Sequence, residues 1–229
     1  MRRVVAPSLI DRVERDHIEP DTAFHRRRVV VAVTLVAGAV LLGISLSIRP
    51  GDAAFYPLTL GVAATWTAGA FLSGPLHLGH IPFRDRVRRP ILTPVATGVV
   101  AAGVFAVGAL VVREIPPLRD SVNDVLAHAR FGAIVPILLI TVLNGVAEEL
   151  FFRGALFAAI GRRYAVPIST LVYAAATIAT LNAMLVFAAL LLGAVLGLQR
   201  RASGGVLAPI LTHITWSAAM LFALPALIS

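Results

Sequence analysis

Residues 144–154 read Asn-Gly-Val-Ala-Glu-Glu-Leu-Phe-Phe-Arg-Gly and lie inside an apolar run that extends from about residue 132 to 160. Apart from Glu148, Glu149 and Arg153, this run carries no charge. An ionisable side chain at membrane depth is costly unless it is paired or functional, so such residues mark a site by default. The chain has 12 acidic residues, and two of them stand side by side here. This stretch therefore predicts both a membrane helix and a candidate site within it.

The composition predicts an all-α, polytopic bundle of transmembrane helices. The chain has 229 residues, of which 58% are hydrophobic, and its mean hydropathy is +0.87. Apolar runs of about 20 residues, long enough to cross a bilayer, recur along it. We expect a basic cytoplasmic segment at 1–28, which reads as a surface helix near anionic lipid, and one membrane domain at 29–229.

Charge and cysteine content exclude several classes of function. The net charge of +8 comes from arginine alone, because the sequence contains no lysine. These arginines cluster at the ends of apolar runs, as membrane topology requires, so we expect contact with lipid and no nucleic-acid partner. The absence of cysteine excludes disulfides, thiolate metal ligands and a cysteine nucleophile.

Hydropathy and proline positions predict seven spans. Their approximate ranges are 29–48, 54–73, 91–112, 132–160, 166–181, 183–199 and 205–225. Prolines fall near the start of five of them, where a missing N–H is tolerated: Pro57, Pro94, Pro136, Pro167 and Pro209. Gly161 is placed to end the fourth helix, and Gly193 and Gly197 should let a neighbouring helix approach closely.

The arginine distribution predicts the orientation of the spans in the cell membrane. With the N-terminus inside, fifteen of the 20 arginines are cytoplasmic and the C-terminus is outside. The cytoplasmic set is Arg2, Arg3, Arg12, Arg15, Arg26, Arg27, Arg28, Arg84, Arg86, Arg88, Arg89, Arg162, Arg163, Arg200 and Arg201. In the external loop 113–131, Ser121 followed by Asp124 resembles a capping box, which predicts a short interfacial helix there.

The spacing of the buried polar residues predicts how they are used. Glu149 and Arg153 are four residues apart, the spacing of a helical ion pair. Glu148 lies about 100° further round the helix, so it faces a different neighbour and is available as a general base. His213 and Thr177 fall at a similar depth in their own spans, and we expect His213 to share a water with Glu148. The simpler alternatives are a pair that only fixes helix packing and a core histidine.

At this point the sequence resembles a known family. Glu148-Glu-Leu-Phe-Phe-Arg153-Gly154 matches the Glu-Glu-x-x-x-Arg motif of the CAAX-protease and bacteriocin-processing family, also called the Abi or type II CAAX prenyl endopeptidase family. The stretch from Ser169 to Thr177 aligns with its middle motif, a phenylalanine followed four residues later by histidine. The stretch from Gly204 to Ser217 resembles its last motif, in which asparagine or aspartate follows a histidine by four residues. The resemblance covers about 130–225.

This resemblance implies an intramembrane endopeptidase. By analogy, Glu148 activates the attacking water, Glu149 and Arg153 belong to the catalytic motif, and histidines orient the water or hold a metal such as zinc. The implied substrate is a membrane-associated peptide or protein. The chain departs from the pattern at Thr177, which replaces the middle histidine, and at Ser217, which replaces the final asparagine or aspartate.

These departures keep three hypotheses open. Glu148 and His213 alone make an incomplete zinc site, whereas Thr177 and Ser217 remain candidates to line the site or donate to an oxyanion. The first hypothesis is an endopeptidase of this family, and the second is a non-catalytic relative that binds membrane partners. The third is a small proton-coupled transporter, because buried acids beside a histidine also form proton relays.

Overall fold

The computed structural model describes residues 5–11, 20–83, 86–131, 133–161 and 163–228. The described residues form a π-helical turn at Ala6–Ile10 and then eight helices, with a two-stranded hairpin between the second and third helices. The strands are β1 Ile81–Phe83 and β2 Arg86–Arg88, paired antiparallel. Within the described residues, the helices are α1 Asp21–Ser47, α2 Phe55–Ser73, α3 Leu92–Val112, α4 Pro116–Arg130, α5 Ile134–Ile160, α6 Ala165–Ile178, α7 Ala183–Ser203 and α8 Leu207–Ile228.

Six of these helices are long and apolar enough to cross a membrane: α1, α2, α3, α5, α7 and α8. They confirm six of the seven predicted spans. The fifth predicted span is the shorter apolar helix α6, whose 14 residues rise by roughly 21 Å. Its end lies close to Gly43 in the last turns of α1, since a Cβ on Gly43 would be 2.7 Å from the carbonyl oxygen of Ala179.

Five prolines determine where helices begin. Each stands at the third residue of its helix, so α2, α3, α5, α6 and α8 all start two residues before a proline. The first-turn N–H groups of a helix have no partner within it, and the missing proton of proline costs nothing there. At the other end of α5, Gly161 has φ 96° and ends the helix, as predicted.

The arginine-rich connections meet at one end of the bundle. Arg28 donates to the carbonyl of Ala159 at 3.1 Å, which joins the start of α1 to the end of α5. Arg201 donates to the carbonyls of Leu9 and Ile10. Predicted cytoplasmic arginines thus share one end, although Arg2, Arg3, Arg12, Arg15, Arg84 and Arg162 lie outside the described residues.

Helix α4 covers part of the opposite end. Val122 and Leu126 face inward and pack with Ala109 and Ile228. His128 bonds the carbonyl of Ile48 at 2.9 Å, which ties α4 to the end of α1. A helix is therefore present in the loop where a short interfacial helix was predicted.

Two local predictions were wrong, and one local feature was not predicted. The helix α4 begins at Pro116, and Ser121 lies inside it with its hydroxyl bonded to the carbonyl of Pro117, so Ser121 is not a cap. The first span starts at Asp21 rather than residue 29, because helix α1 continues through the arginines 26–28. The sequence pattern also gave no sign of the β1–β2 hairpin.

Aromatic packing beside the site holds α2 against α5. Trp66 is fully buried, and its ring lies 4.6 Å from Phe151 and 5.0 Å from Phe152. Gly38 of α1 makes room for the indole, since a Cβ there would lie within 2.5 Å of it. This packing positions α5 against α2 next to the segment that carries Glu148 and Glu149.

Candidate active site

The acidic motif lies where helix α5 changes its winding. The segment Ile134–Glu148 is α-helical, and Glu149–Leu156 is π-helical before the α-helix resumes. A π-helical turn inserts extra backbone into a helix and is often found at functional sites. Here it brings Glu149, Phe151, Phe152 and Arg153 into the interior together.

Glu149 is the centre of a buried hydrogen-bonded cluster. Its Oε1 accepts from Arg153 Nη1 at 3.0 Å and from His213 Nδ1 at 2.8 Å. The side chains of Glu149 and Arg153 are fully buried, so each charge depends on its partner. The ion pair expected from the spacing is present. The partner of His213 was not expected, because the sequence suggested Glu148.

Glu148 faces a tyrosine of helix α6. Tyr173 donates its hydroxyl hydrogen to Glu148 Oε2 at 2.6 Å. The guanidinium carbon of Arg153 lies 4.5 Å from the centre of the Tyr173 ring. Sequence reasoning missed Tyr173, which occupies the aromatic position of the middle motif and was given no role of its own. Its hydroxyl was the available signal, because a buried tyrosine normally seeks a hydrogen-bond partner.

Helix α7 closes the cluster with a glycine. A Cβ on Gly193 would be 3.1 Å from Arg153 Nη2 and 3.3 Å from the Tyr173 ring. The absence of a side chain at Gly193 therefore makes room for the Arg153 guanidinium as well as for the neighbouring helix. About two turns further along α7, Arg200 Nε donates to the carbonyl of Arg153 at 2.7 Å.

Among the described residues, no hydrogen bond joins Thr177 or Ser217 to the carboxylates of Glu148 and Glu149. The hydroxyl of Thr177 donates to the carbonyl of Tyr173 within its own helix at 2.9 Å. Ser217 lies one turn beyond His213 on α8. The predicted roles of both residues at the site stay predictions.

Three buried atoms of the cluster keep unused hydrogen-bonding capacity. Glu149 Oε2, Arg153 Nε and Arg153 Nη2 have no hydrogen-bond partner among the residues that the structure describes. Buried polar atoms without partners are uncommon and call for an explanation. Their position beside Glu148 and His213 would allow them to contact a water or a substrate carbonyl.

The donor set does not fit the zinc ion that the family resemblance implies. Over the described ranges, no group of three His, Asp or Glu side chains is arranged to hold a metal. A catalytic zinc takes three protein ligands and prefers nitrogen or carboxylate oxygen. Here the position of the middle histidine is Thr177, His213 Nδ1 is bonded to Glu149, and the cation of Arg153 lies in the same cluster.

A comparison with family models agrees with the motifs. Residues 130–219 match the model described as type II CAAX prenyl endopeptidase Rce1-like. The match covers α5, α6, α7 and the first half of α8, which together supply Glu148, Glu149, Arg153, Tyr173 and His213. No curated protein and no solved structure matches the chain. The segment 130–219 is therefore similar to the type II CAAX prenyl endopeptidase family, in a chain with six helices long and apolar enough to cross a membrane.

Proposed function

We propose that this protein is an intramembrane endopeptidase that hydrolyses a peptide bond of a membrane-associated protein or peptide. The observation that carries the proposal is one connected set of contacts. Tyr173 bonds Glu148 and lies against Arg153, and Glu149 binds both Arg153 and His213. A structural ion pair needs only Glu149 and Arg153. The second carboxylate and the imidazole exceed what an ion pair needs, and both are groups that acid–base catalysis commonly uses.

In the proposed reaction Glu148 is the general base. It removes a proton from a water whose oxygen attacks the carbonyl carbon of the scissile peptide bond. Tyr173 holds Oε2 of Glu148, which leaves Oε1 to face the water. When the tetrahedral intermediate collapses, the C–N bond breaks and the proton passes from Glu148 to the departing amine. The products are an amine and a carboxylic acid, and the acid then ionises to the carboxylate.

Glu149 acts on the reaction through His213. A carboxylate that accepts from Nδ1 fixes the neutral tautomer and the plane of the ring, and the other nitrogen is then free to accept from water. Arg153 compensates the charge of Glu149 in a medium that does not solvate it. Metal does not enter this proposal, because the donor set does not fit it.

A second candidate is a non-catalytic member of the family that binds membrane partners. Thr177 favours it, because its hydroxyl is bonded within α6 and does not replace the imidazole of the family motif. In this case Glu148 and Glu149 would serve helix packing alone.

The experiment that separates the two candidates compares membrane-protein cleavage products in cells. One strain carries the native chain and the other Glu148→Gln at a matched amount. New protein termini that are present with the native chain and absent with Glu148→Gln support hydrolysis and identify the substrate. Identical termini in both strains support the binding protein.

Tyr173→Phe should slow the proposed hydrolysis while the protein stays folded. It removes one hydroxyl and keeps the ring over Arg153. A hydrogen bond to a charged group contributes about 1.5–3 kcal/mol, which corresponds to about a ten- to hundred-fold loss of rate. The measurement is the initial rate of product formation with the matched control Tyr164→Phe, whose ring is exposed. Equal rates for both variants would remove Tyr173 from the mechanism.

We further propose that the arginine-rich end of the bundle faces the cytoplasm and that α6 completes seven crossings, with the C-terminus outside. Since the chain has no cysteine, single cysteines report on sidedness without background. A membrane-impermeant maleimide added to intact cells should label Asp124→Cys in α4 and leave Arg86→Cys in the hairpin unlabelled until the cells are opened. The reverse labelling pattern would show that the arginine-rich end faces the outside.

A further inference from the structure

A cleft in the membrane-spanning region lies outside the candidate active site. It has a volume of about 240 Å³ and is lined by residues of α3, α4, α7 and α8. Helices α3 and α7 both pack on α8, which forms the back of the cleft, while α4 covers its upper end. Its lining includes Val104 of α3 and Phe187 of α7, which are 63% and 48% exposed. The cleft therefore opens sideways between α3 and α7.

We propose that this cleft binds one hydrocarbon tail of a bilayer phospholipid. The side chains that line it are almost all apolar, with Ser121 and Asn182 as the polar exceptions at the end covered by α4. A sideways opening at this depth meets only lipid tails or other membrane helices. The proposal goes beyond the proposed hydrolysis and does not depend on it.

The length of the cleft selects a lipid tail over a transmembrane helix. Its lining on α8 runs from Trp216 to Leu224, and eight residues of helix rise by roughly 12 Å. A bilayer has a hydrocarbon core of about 30 Å, so one leaflet contributes about half of that. A tail of the leaflet on the α4 side matches this length, whereas a membrane-crossing helix of a partner would extend well past both ends.

The cleft ends beside the active-site histidine. Trp216 lines its floor, and the indole lies 5.1 Å from the Phe105 ring and 6.2 Å from the His213 ring, centre to centre. A bound tail would therefore contact the ring that separates the cleft from His213. The fluorescence of Trp216 therefore reports whether a tail is bound.

The two tryptophans of the chain allow a direct test. The protein is placed in phosphatidylcholine vesicles, with and without bromine atoms along one acyl chain, because bromine quenches tryptophan emission on contact. We expect bromine to quench the emission of Trp216, which is the part that Trp216→Phe removes. The remaining emission comes from Trp66, which is fully buried among aromatic rings, and should be quenched little. Equal emission of the native chain in both kinds of vesicle would overturn the proposal.

Two glycines of α3 provide a matched pair of variants. A Cβ on Gly108 or on Gly103 meets nothing within 4 Å, but only Gly108 lines the cleft. Gly108→Phe should fill the cleft and abolish most of the bromine quenching of Trp216. In Gly103→Phe, bromine should quench Trp216 as much as in the native chain. The unquenched emission of Trp66 shows in the same sample that each variant is folded.

The outcome with Gly108→Phe decides between a tail in the cleft and lipid at the outer surface. Quenching that persists undiminished in Gly108→Phe means that bromines reach Trp216 by another path, and the proposal fails. If Gly108→Phe does not fold, Ala188→Phe on the α7 wall of the cleft makes the same measurement from the opposite side. A helix of a second copy seated in the cleft would exclude the bromines and leave Trp216 of the native chain unquenched, which is the outcome that overturns the proposal.

Discussion

Arg153→Ala should leave little folded protein in the membrane. The substitution removes the guanidinium from a fully buried pair and leaves the Glu149 carboxylate with His213 alone. Breaking a buried pair by removing one partner costs about 3–5 kcal/mol, against a typical total stability of about 5–15 kcal/mol. The measurement is the amount of protein that stays monodisperse in detergent, together with its midpoint of thermal unfolding.

Two variants show whether the loss comes from the buried charge. Arg113→Ala removes an arginine of an exposed pair with Glu114 and should cost about 0–1 kcal/mol. The double variant Arg153→Met with Glu149→Gln removes both charges and keeps an acceptor for His213, so it should recover much of the folded protein. A double variant as unstable as Arg153→Ala would mean that the arginine acts through shape or its contact with Tyr173 rather than through its charge.

Glu148→Gln should abolish proteolysis without unfolding the protein. The amide has the volume of the acid, and its oxygen still accepts from the Tyr173 hydroxyl, but it does not accept a proton from water. A general base contributes about 10²–10⁴ to the rate, so a loss of at least that size is expected. The matched control is Glu114→Gln, which changes an exposed carboxylate at the end of α3 and should leave the rate of proteolysis unchanged.

The two variants together distinguish an enzyme from a binding protein. Both accounts expect Arg153→Ala to deplete the protein, because both need the buried pair. Only the enzyme requires that Glu148→Gln change the cleavage products while the protein stays folded. A cell in which Glu148→Gln is silent and Arg153→Ala is not would contain the binding protein.

Local sequence signals predicted the helices and the ion pair. The five prolines and the apolar runs determine helix starts within about two residues, because both act through the backbone of their own segment. The Glu149–Arg153 pair follows from spacing on one helix. The start of α1 was missed because Arg26, Arg27 and Arg28 interrupt the apolar pattern without interrupting the helix.

Contacts between helices could not be predicted in the same way. The partner of Glu148 depends on how α6 rotates against α5, and Tyr173 was weighed only as an aromatic of a motif. The partner of His213 depends on the π-helical turn after Glu148, for which the sequence carries no simple period. The cleft beside Trp216 exists because α3 and α7 both pack on α8, which hydropathy does not reveal.

The most direct test of the central claim follows the oxygen of the attacking water. The purified native chain and Glu148→Gln are reconstituted in vesicles with the substrate found in cells, in water that carries a heavy oxygen isotope. The account predicts a product from the native chain whose new terminal carboxylate contains one heavy oxygen, and a yield at least about 10²-fold lower from Glu148→Gln. Equal yields of labelled product from both proteins would show that Glu148 is not the base.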